Sequence, residues 1–385
     1  MPRVEGYRTG RLENIIGKHM SELNFGLEER ILNSKDELAQ REALLTSRGL
    51  MVPEGEELVL GLFVGEQLVA TGALVRNVLQ GIAVDIDYEG EGISAAIVSS
   101  LIRRAVDRGI TQVFLYTISE DISRFESLGF RKVAAVPRGA ALLEWGTAGI
   151  ESYLASIRAL AKDKPDHAGA VVINCNPFTL GHRYLIEYAS SHVPWLYVLV
   201  VEEDRSLFPF RVRYRLVQEG VADLRNLTVM KGGPYIISSA TFPTYFIRPD
   251  VNEASWKAVR MHASLDVSIF RTHIAPALKV TDRFVGTEPY CPTTSIYNDI
   301  MKIILQAKET EAFGLDAKTP PVALHEIPRF ELWGTPVSAS KVRDMIREGN
   351  LSEVQKFVPE TTWDWLKSEE AAPVIERIRQ SDSRH

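Results

Sequence analysis

The residues best suited to chemistry lie in one stretch, Val171 to His182, which reads VVINCNPFTLGH. Its first residues are apolar and β-branched, which favours a buried strand that ends at a polar loop. Thr179 is suited to begin the next helix, and the unpaired amide groups at a helix start can hold a phosphate. Thr179 and His182 are spaced to face that anion together, while Gly181 permits close approach of the backbone. The stretch predicts a polyphosphate site.

A second helix start with the same potential lies at Val337 to Arg343, which reads VSASKVR. Ser338 and Ser340 can cap the helix that follows, and Arg343 lies one turn inside it. Alone, such a segment is more often a plain helix cap with a solvent-facing arginine. Two suitable helix starts in one chain favour a nucleotide site.

Both segments resemble the nucleotidyltransferase superfamily, whose signature is (H/T)-x-G-H after the first strand of a Rossmann-like sheet, with I-S-S-T-x-x-R near the end of the domain. Here they read Thr179-Leu-Gly-His182 and Ser338-Ala-Ser-Lys-Val-Arg343. The resemblance implies catalytic roles for His182, Thr179 and Arg343. At the position of Asn176 the superfamily often has Asp, so this chain departs from the pattern in charge. The resemblance therefore does not extend to a metal or acceptor contact at Asn176, whereas it still implies phosphate binding. The remaining ATP contacts expected by this comparison are Asn174, Asn176, Phe178, Gly181, Ser338, Ser340 and Arg213.

Longer blocks resemble the citrate lyase ligase family over nearly the full chain. They begin at Asn174, Val201, Tyr235 and Arg283 and read NCNPFTLGHRYLI, VEEDRSLFPF, YIISSATFPTYFI and RFVGTEP. The resemblance implies an enzyme that uses ATP, with Mg²⁺ carried by the substrate, to activate acetate as acetyl-adenylate. It also implies that the acetyl group passes to the thiol of the CoA-like prosthetic group on the citrate lyase acyl carrier subunit.

The residues alone leave other functions open. The two motifs fit a phosphopantetheine or nicotinamide-mononucleotide adenylyltransferase equally well, and they also fit a noncatalytic module that only senses nucleotides. Arg213 is a better candidate than Arg211 for a phosphate neighbour, although a surface position explains both arginines as well.

The N-terminal half resembles a GCN5-related acetyltransferase domain, an α+β fold. Two β-rich runs, Leu58–Val64 and Gln67–Val75, read as a hairpin, and a later strand leads into the glycine loop DYEGEG at positions 87–92. In such acetyltransferases the loop begins with Gln or Arg and binds coenzyme A, and Gly90 and Gly92 are the matching glycines here. Asp87, together with Glu89 and Glu91, makes this loop acidic, which should weaken pyrophosphate binding. We therefore expect this half to bind or dock the prosthetic arm, with acetyltransferase activity as the alternative. Arg103, Arg104 and Arg108 are available to meet an acidic carrier, although a solvated helix face explains these arginines equally well.

The organisation predicted for the chain is a GNAT-like domain at 1–148, a connecting helix and linker at 149–167, and an α/β adenylylating domain with a parallel sheet at 168–385. The linker is placed at the charged, proline-broken segment Lys162–Asp166. A length of 385 residues agrees with two domains.

Composition restricts the classes of partner. The net charge of −6 gives no basis for nonspecific nucleic-acid binding, so we expect no nucleic-acid partner. The longest apolar stretch, Trp195 to Val201, is too short to span a bilayer, and no apolar signal segment follows Arg3 and Arg8. We expect a cytoplasmic protein with no membrane partner. Two cysteines and the spacing of eight histidines predict no metal site made by protein side chains.

Overall fold

A computed structural model of the chain describes residues 26–53, 55–90, 92–246 and 253–381. The predictions that involve Arg3, Arg8 and Glu91 lie outside these residues. The chain divides into two compact units. The first contains the described residues up to Val133 together with Ala141–Gly149, and the second contains Ala134–Ala140 and the described residues from Ile150 onward.

The first unit is built on a seven-stranded sheet of order β1-β2-β3-β4-β5-β7-β6, in which β1 to β4 pair antiparallel and β4 pairs parallel to β5. Its strands are β1 (Glu28–Ile31), β2 (Leu58–Val64), β3 (Gln67–Val75), β4 (Val78–Val84), β5 (Gln112–Ile118), β6 (Arg131–Ala135) and β7 (Ala140–Gly146). Its helices are α1 (Lys35–Ser47), α2 (Ile93–Asp107) and α3 (Ile122–Glu126).

Local sequence explains the hairpin formed by β2 and β3. Both strands have the predicted bounds, and Gly65 between them has a φ of 61°, which a glycine adopts without steric cost. Strand β4 includes Gly81, where φ is 57°. Ser119 opens a 3₁₀ turn, and α3 begins at Ile122.

The second unit is built on a five-stranded parallel sheet of order β10-β9-β8-β11-β12. Its strands are β8 (Ala168–Ile173), β9 (Leu196–Val200), β10 (Leu227–Lys231), β11 (Val280–Gly286) and β12 (Ala323–Ile327), and a small hairpin adds β13 (Glu331–Leu332) and β14 (Thr335–Pro336). Its helices are α4 (Ile150–Ala161), α5 (Leu180–His192), α6 (Phe210–Gly220), α7 (Glu253–Ile269), α8 (Ala275–Leu278), α9 (Pro292–Gln306), α10 (Ala339–Arg347), α11 (Leu351–Val354), α12 (Glu360–Leu366) and α13 (Ala372–Gln380). A π-helical segment, Phe270–Ile274, joins α7 to α8.

The predicted fold class, α/β with a Rossmann-like parallel sheet preceded by an α+β domain, is confirmed. In chain order the five parallel strands of the second unit run 3-2-1-4-5, so the topology reverses between β8 and β11. Open parallel sheets bind ligands at the carboxyl ends of the strands beside such a reversal. The strand–loop–helix from Val171 to His182 lies at this position.

Helix α4 belongs to the second unit, although the sequence analysis placed it in the connection 149–167. Leu154 and Ile157 are buried, and the Tyr153 hydroxyl donates a hydrogen bond to the Gly232 carbonyl at 2.7 Å. No helix in the part of the chain described by the structure is long and apolar enough to cross a bilayer.

Candidate active site

Arg213 donates hydrogen bonds to the start of the loop from Asn174 to Thr179, which connects β8 to α5. Arg213 is fully buried, and its Nη1 atom donates to the Asn174 carbonyl at 2.8 Å and to Asn174 Oδ1 at 3.0 Å. The same nitrogen reaches the Val201 carbonyl at 2.8 Å, and Nε reaches the Phe208 carbonyl at 2.9 Å. Burial lowers the pKa of Arg213 to about 10. Arg213 therefore ties together the carboxyl ends of β8 and β9.

Asn176 presents a donor to the site. Its side chain is 3% exposed, and Oδ1 accepts a hydrogen bond from the Phe208 amide at 3.0 Å. A backbone amide only donates, so Oδ1 is fixed as the acceptor and Nδ2 is the remaining end of the side chain. Nδ2 is buried and has no hydrogen-bond partner among the described residues. Asn176 thus offers N–H groups where an Asp would offer a carboxylate.

His182 and Thr179 are joined at the start of α5. The Nδ1 atom of His182 accepts from the Thr179 amide at 3.1 Å and lies 2.9 Å from Thr179 Oγ1. Because Nδ1 accepts from a backbone amide, the proton of the neutral ring is assigned to Nε2. Burial, and then the charges of Arg329 and Arg343, lower the pKa of His182 to about 4. At neutral pH His182 is an uncharged donor through Nε2.

Gly181 allows the two predicted motifs to meet. A Cβ atom at this position would lie 2.8 Å from the carbonyl oxygen of Val337, which is far inside van der Waals contact. Val337 immediately precedes Ser338, so the close contact brings the start of α10 against the start of α5. Gly181 was expected to let the backbone come close to a phosphate. In the structure a glycine is also needed here because the Val337 carbonyl oxygen occupies the space beside it.

Ser338 is the N-cap of α10, and its Oγ atom accepts from the Lys341 amide at 3.2 Å. Ser340 was also expected to cap the helix, but it lies in the first turn, where its Oγ atom accepts from Arg343 Nη2 at 3.4 Å. Arg343 is 4% exposed, and its Nη1 atom donates to the Asn176 carbonyl. The two motifs are therefore connected by a side chain as well as by packing.

A cavity of about 470 Å³ opens where these elements meet, which is within the size range of small-molecule sites. Most of the predicted site residues line it: Asn174, Asn176, Thr179, Gly181, His182, Ser338, Ser340 and Arg343. Phe178 does not, because it is buried below the loop and packs on the His182 ring with centroids 6.1 Å apart. Arg213 also lies outside the lining, and Arg211 is an exposed side chain paired with Glu370 at 3.3 Å.

Five charged residues of the cavity wall were not among the predicted site residues: Arg283, Glu288, Arg329, Lys341 and Asp344. Arg329 pairs with Glu288, and its Nε atom donates to the Thr287 carbonyl at 2.8 Å. Arg283 lies in β11 and is 1% exposed. In the sequence Arg283 is flanked by Asp282 and Phe284, and nothing in this local pattern marks the arginine as buried. No group of three or more His, Cys, Asp or Glu side chains that could hold a metal ion occurs within the described ranges.

The glycine loop of the first unit has the expected backbone geometry, with φ values of 85° at Gly90 and 77° at Gly92. Gly92 is the N-cap of α2. The arginines proposed for docking are already engaged. Arg103 and Arg104 share one carboxylate, that of Glu29, at 2.6 Å and 2.8 Å, and Arg108 donates to the Glu57 carbonyl at 3.3 Å, so Glu29 balances only one of these three positive charges.

A family model and the curated relatives that match most of this chain carry the same family description. The family model "Citrate lyase ligase C-terminal domain" matches residues 168–366. The [Citrate [pro-3S]-lyase] ligase of Escherichia coli is 35% identical over 89% of this chain and 92% of that relative. The Klebsiella pneumoniae protein of the same name is 37% identical over 78% of this chain and 84% of that relative. Among solved structures, an acetyltransferase from Streptococcus agalactiae aligns with 32% of this chain and 99% of its own length, at 15% identity and a TM-score of 0.28.

Proposed function

The chain belongs to the citrate lyase ligase family, a family of ligase enzymes, and from that premise we propose that it activates acetate with ATP and acetylates a citrate lyase carrier. The intermediate is acetyl-adenylate. The acceptor is the thiol of the CoA-like prosthetic group on the acyl carrier subunit of citrate lyase.

One observation carries the proposal: the starts of α5 and α10 face a single cavity, joined by the bond from Arg343 to the Asn176 carbonyl. Amide groups at the start of a helix favour negative charge. The neutral Nε2–H of His182 and the Nδ2 donors of Asn176 add directed hydrogen bonds to the phosphates of ATP. Mg²⁺ enters bound to those phosphates and takes oxygen ligands from them and from water.

In the first step a carboxylate oxygen of acetate attacks the α-phosphorus of ATP. A new P–O bond forms, the bond between the α-phosphorus and the bridging oxygen to the β-phosphate breaks, and pyrophosphate leaves with the electron pair. No proton has to be removed from a carboxylate, so the site needs positioning and charge stabilisation rather than a general base. A His182 ring that stays neutral at physiological pH suits this role.

In the second step the prosthetic thiol, as its thiolate, attacks the carbonyl carbon of acetyl-adenylate. A thioester forms and AMP leaves. The charge that develops on AMP lies on the phosphate already held at the start of α5, so the same donors serve both steps.

Acetate-dependent exchange of labelled pyrophosphate into ATP tests the proposal. The purified protein is incubated with ATP, Mg²⁺ and labelled pyrophosphate, and then with acetate, 4′-phosphopantetheine or nicotinamide mononucleotide. We expect exchange with acetate alone. Exchange that requires a phosphorylated acceptor would instead establish a small-molecule adenylyltransferase, and exchange with none of the three would support a ligand-sensing module.

A further inference from the structure

Arg283 is a buried cation in the wall of the cavity. It lies in the middle of β11, the strand next to β8 in the sheet, and is 1% exposed. It lines the same cavity as His182 and Arg343. Burial of a guanidinium group costs several kcal/mol unless hydrogen-bond partners replace the lost water. The partners that the protein does not supply to Arg283 therefore indicate which ligand the site binds.

The protein provides only part of that compensation. Arg283 Nη2 donates to the Tyr297 hydroxyl at 3.2 Å, and this hydroxyl donates its own proton to Asp266 Oδ2 at 2.6 Å. The other oxygen of Asp266 accepts the Ile237 amide at 2.7 Å, so this carboxylate reaches Arg283 only through Tyr297. On one side the guanidinium carbon lies 4.2 Å from the centroid of the Phe270 ring.

Two of the three guanidinium nitrogens, Nε and Nη1, have no hydrogen-bond partner within the described residues. Arg283 can only donate from these atoms, so the missing partner must be an acceptor. A carboxylate is a strong acceptor for a guanidinium group, because the hydrogen bond between them is charge-assisted.

We propose that Arg283 binds the carboxylate of the acid substrate and so determines that this site activates a carboxylic acid. The inference rests on the proposed function and adds the residue that holds the acid.

The step balances with this assignment. Arg283 holds one oxygen of the carboxylate, and the other oxygen attacks the α-phosphorus while pyrophosphate leaves. The oxygen held by Arg283 becomes the carbonyl oxygen of the acyl-adenylate and remains a hydrogen-bond acceptor. Arg283 can therefore donate a hydrogen bond to the same oxygen of the acyl group in both steps.

The test uses the full-length chain and compares the wild type with Arg283→Met, Arg283→Lys and the control Arg211→Met. Arg211 carries the same side chain outside the cavity and is 84% exposed. Acetate-dependent exchange gives the KM for acetate and for ATP, and calorimetry gives the Kd for ATP without acetate. We expect Arg283→Met to raise the KM for acetate roughly tenfold to 150-fold, the range of a charged hydrogen bond. The Kd of Arg283→Met for ATP should stay within about twofold of the wild-type value. Arg211→Met should match the wild type in the KM for acetate, the KM for ATP and the Kd for ATP.

Added guanidinium should restore part of the activity of Arg283→Met, which a merely structural role would not produce. An unchanged KM for acetate in Arg283→Met overturns the assignment. If the Met variant does not fold, the assignment is overturned by an Arg283→Lys variant that changes the Kd for ATP and leaves the KM for acetate unchanged. If the wild-type protein shows no acetate-dependent exchange, the proposed function itself is overturned. Failure of the Arg283 assignment can therefore be distinguished from failure of the proposed function.

Discussion

At His182 the chemistry depends on which ring nitrogen carries the proton. The Thr179 amide occupies Nδ1, which leaves Nε2–H as the donor toward a phosphate. We expect His182→Ala to slow acetate-dependent exchange roughly tenfold to a few hundredfold, because a hydrogen bond to a charged group is lost. Exchange at the wild-type rate would contradict this role for His182.

The Thr179 side chain contacts the His182 ring. Thr179→Val removes the hydroxyl 2.9 Å from Nδ1 but keeps the backbone amide that fixes the ring. We expect the rate of acetate-dependent exchange to fall roughly twofold to tenfold, because the lost hydrogen bond is between neutral groups. Thr179→Ser is the matched control and should stay close to the wild type. A larger loss in Thr179→Val than in His182→Ala would reverse the proposed order of importance.

The pKa of His182 predicts a pH dependence of stability. The pKa falls from an ordinary 6.5 to about 4 in the folded chain, so between these values the unfolded chain binds more protons. The stability associated with a neutral His182 is therefore complete above pH 6.5 and is lost as the pH falls toward 4. His182→Gln should flatten the decrease in melting temperature over this range.

His262 provides the matched control for that measurement. Burial also lowers its pKa to about 4, but it lies in α7 and does not line the cavity. His262→Gln should flatten the pH dependence of the melting temperature and leave exchange activity near the wild-type value. An unchanged melting profile in His182→Gln would show that this residue is not held neutral.

Among the elements, the contact between α5 and α10 is the most sensitive. Gly181→Ala places a methyl group where the Val337 carbonyl now lies, and backbone atoms cannot move aside as a flexible side chain can. We expect the two helix starts to separate, with loss of most exchange activity and a lower melting temperature. Ser191→Ala, an exposed change at the other end of α5, is the control and should affect neither. Full activity in Gly181→Ala would mean that this contact does not assemble the site.

Elements with a strong local signal were predicted from the sequence. The β2–β3 hairpin was predicted with its observed bounds because two β-rich runs flank Gly65. The loop from β8 to α5 was predicted because a β-branched run precedes a capping threonine. Arg283 was missed because its burial depends on Tyr297 and Phe270, which come from α9 and the π-helical segment. The burial of Arg343 was missed for the same reason, since its partner Asn176 is distant in sequence.

For the whole molecule, the question is what each unit contributes. Helix α4 packs within the second unit through Tyr153, so a truncated chain should retain this helix and begin at Gly149; it still lacks Ala134–Ala140, which also belong to the second unit. We expect that chain to keep acetate-dependent exchange and to lose acetyl transfer to the carrier thiol. A chain that begins at Asp166 is the control and should be less stable. Full transfer activity by the Gly149 chain would remove the docking role from the first unit.

Formation of acetyl-adenylate bonds an oxygen of acetate to the α-phosphorus, and isotope transfer detects that bond. The protein is incubated with acetate labelled with ¹⁸O in both oxygens, ATP, Mg²⁺ and the thiol form of the carrier, and the AMP produced is analysed by mass spectrometry. We expect one ¹⁸O atom in each AMP, because the acyl–oxygen bond of acetyl-adenylate breaks when the thiol attacks. AMP without label, or label recovered in phosphate with formation of ADP, would contradict the adenylate mechanism.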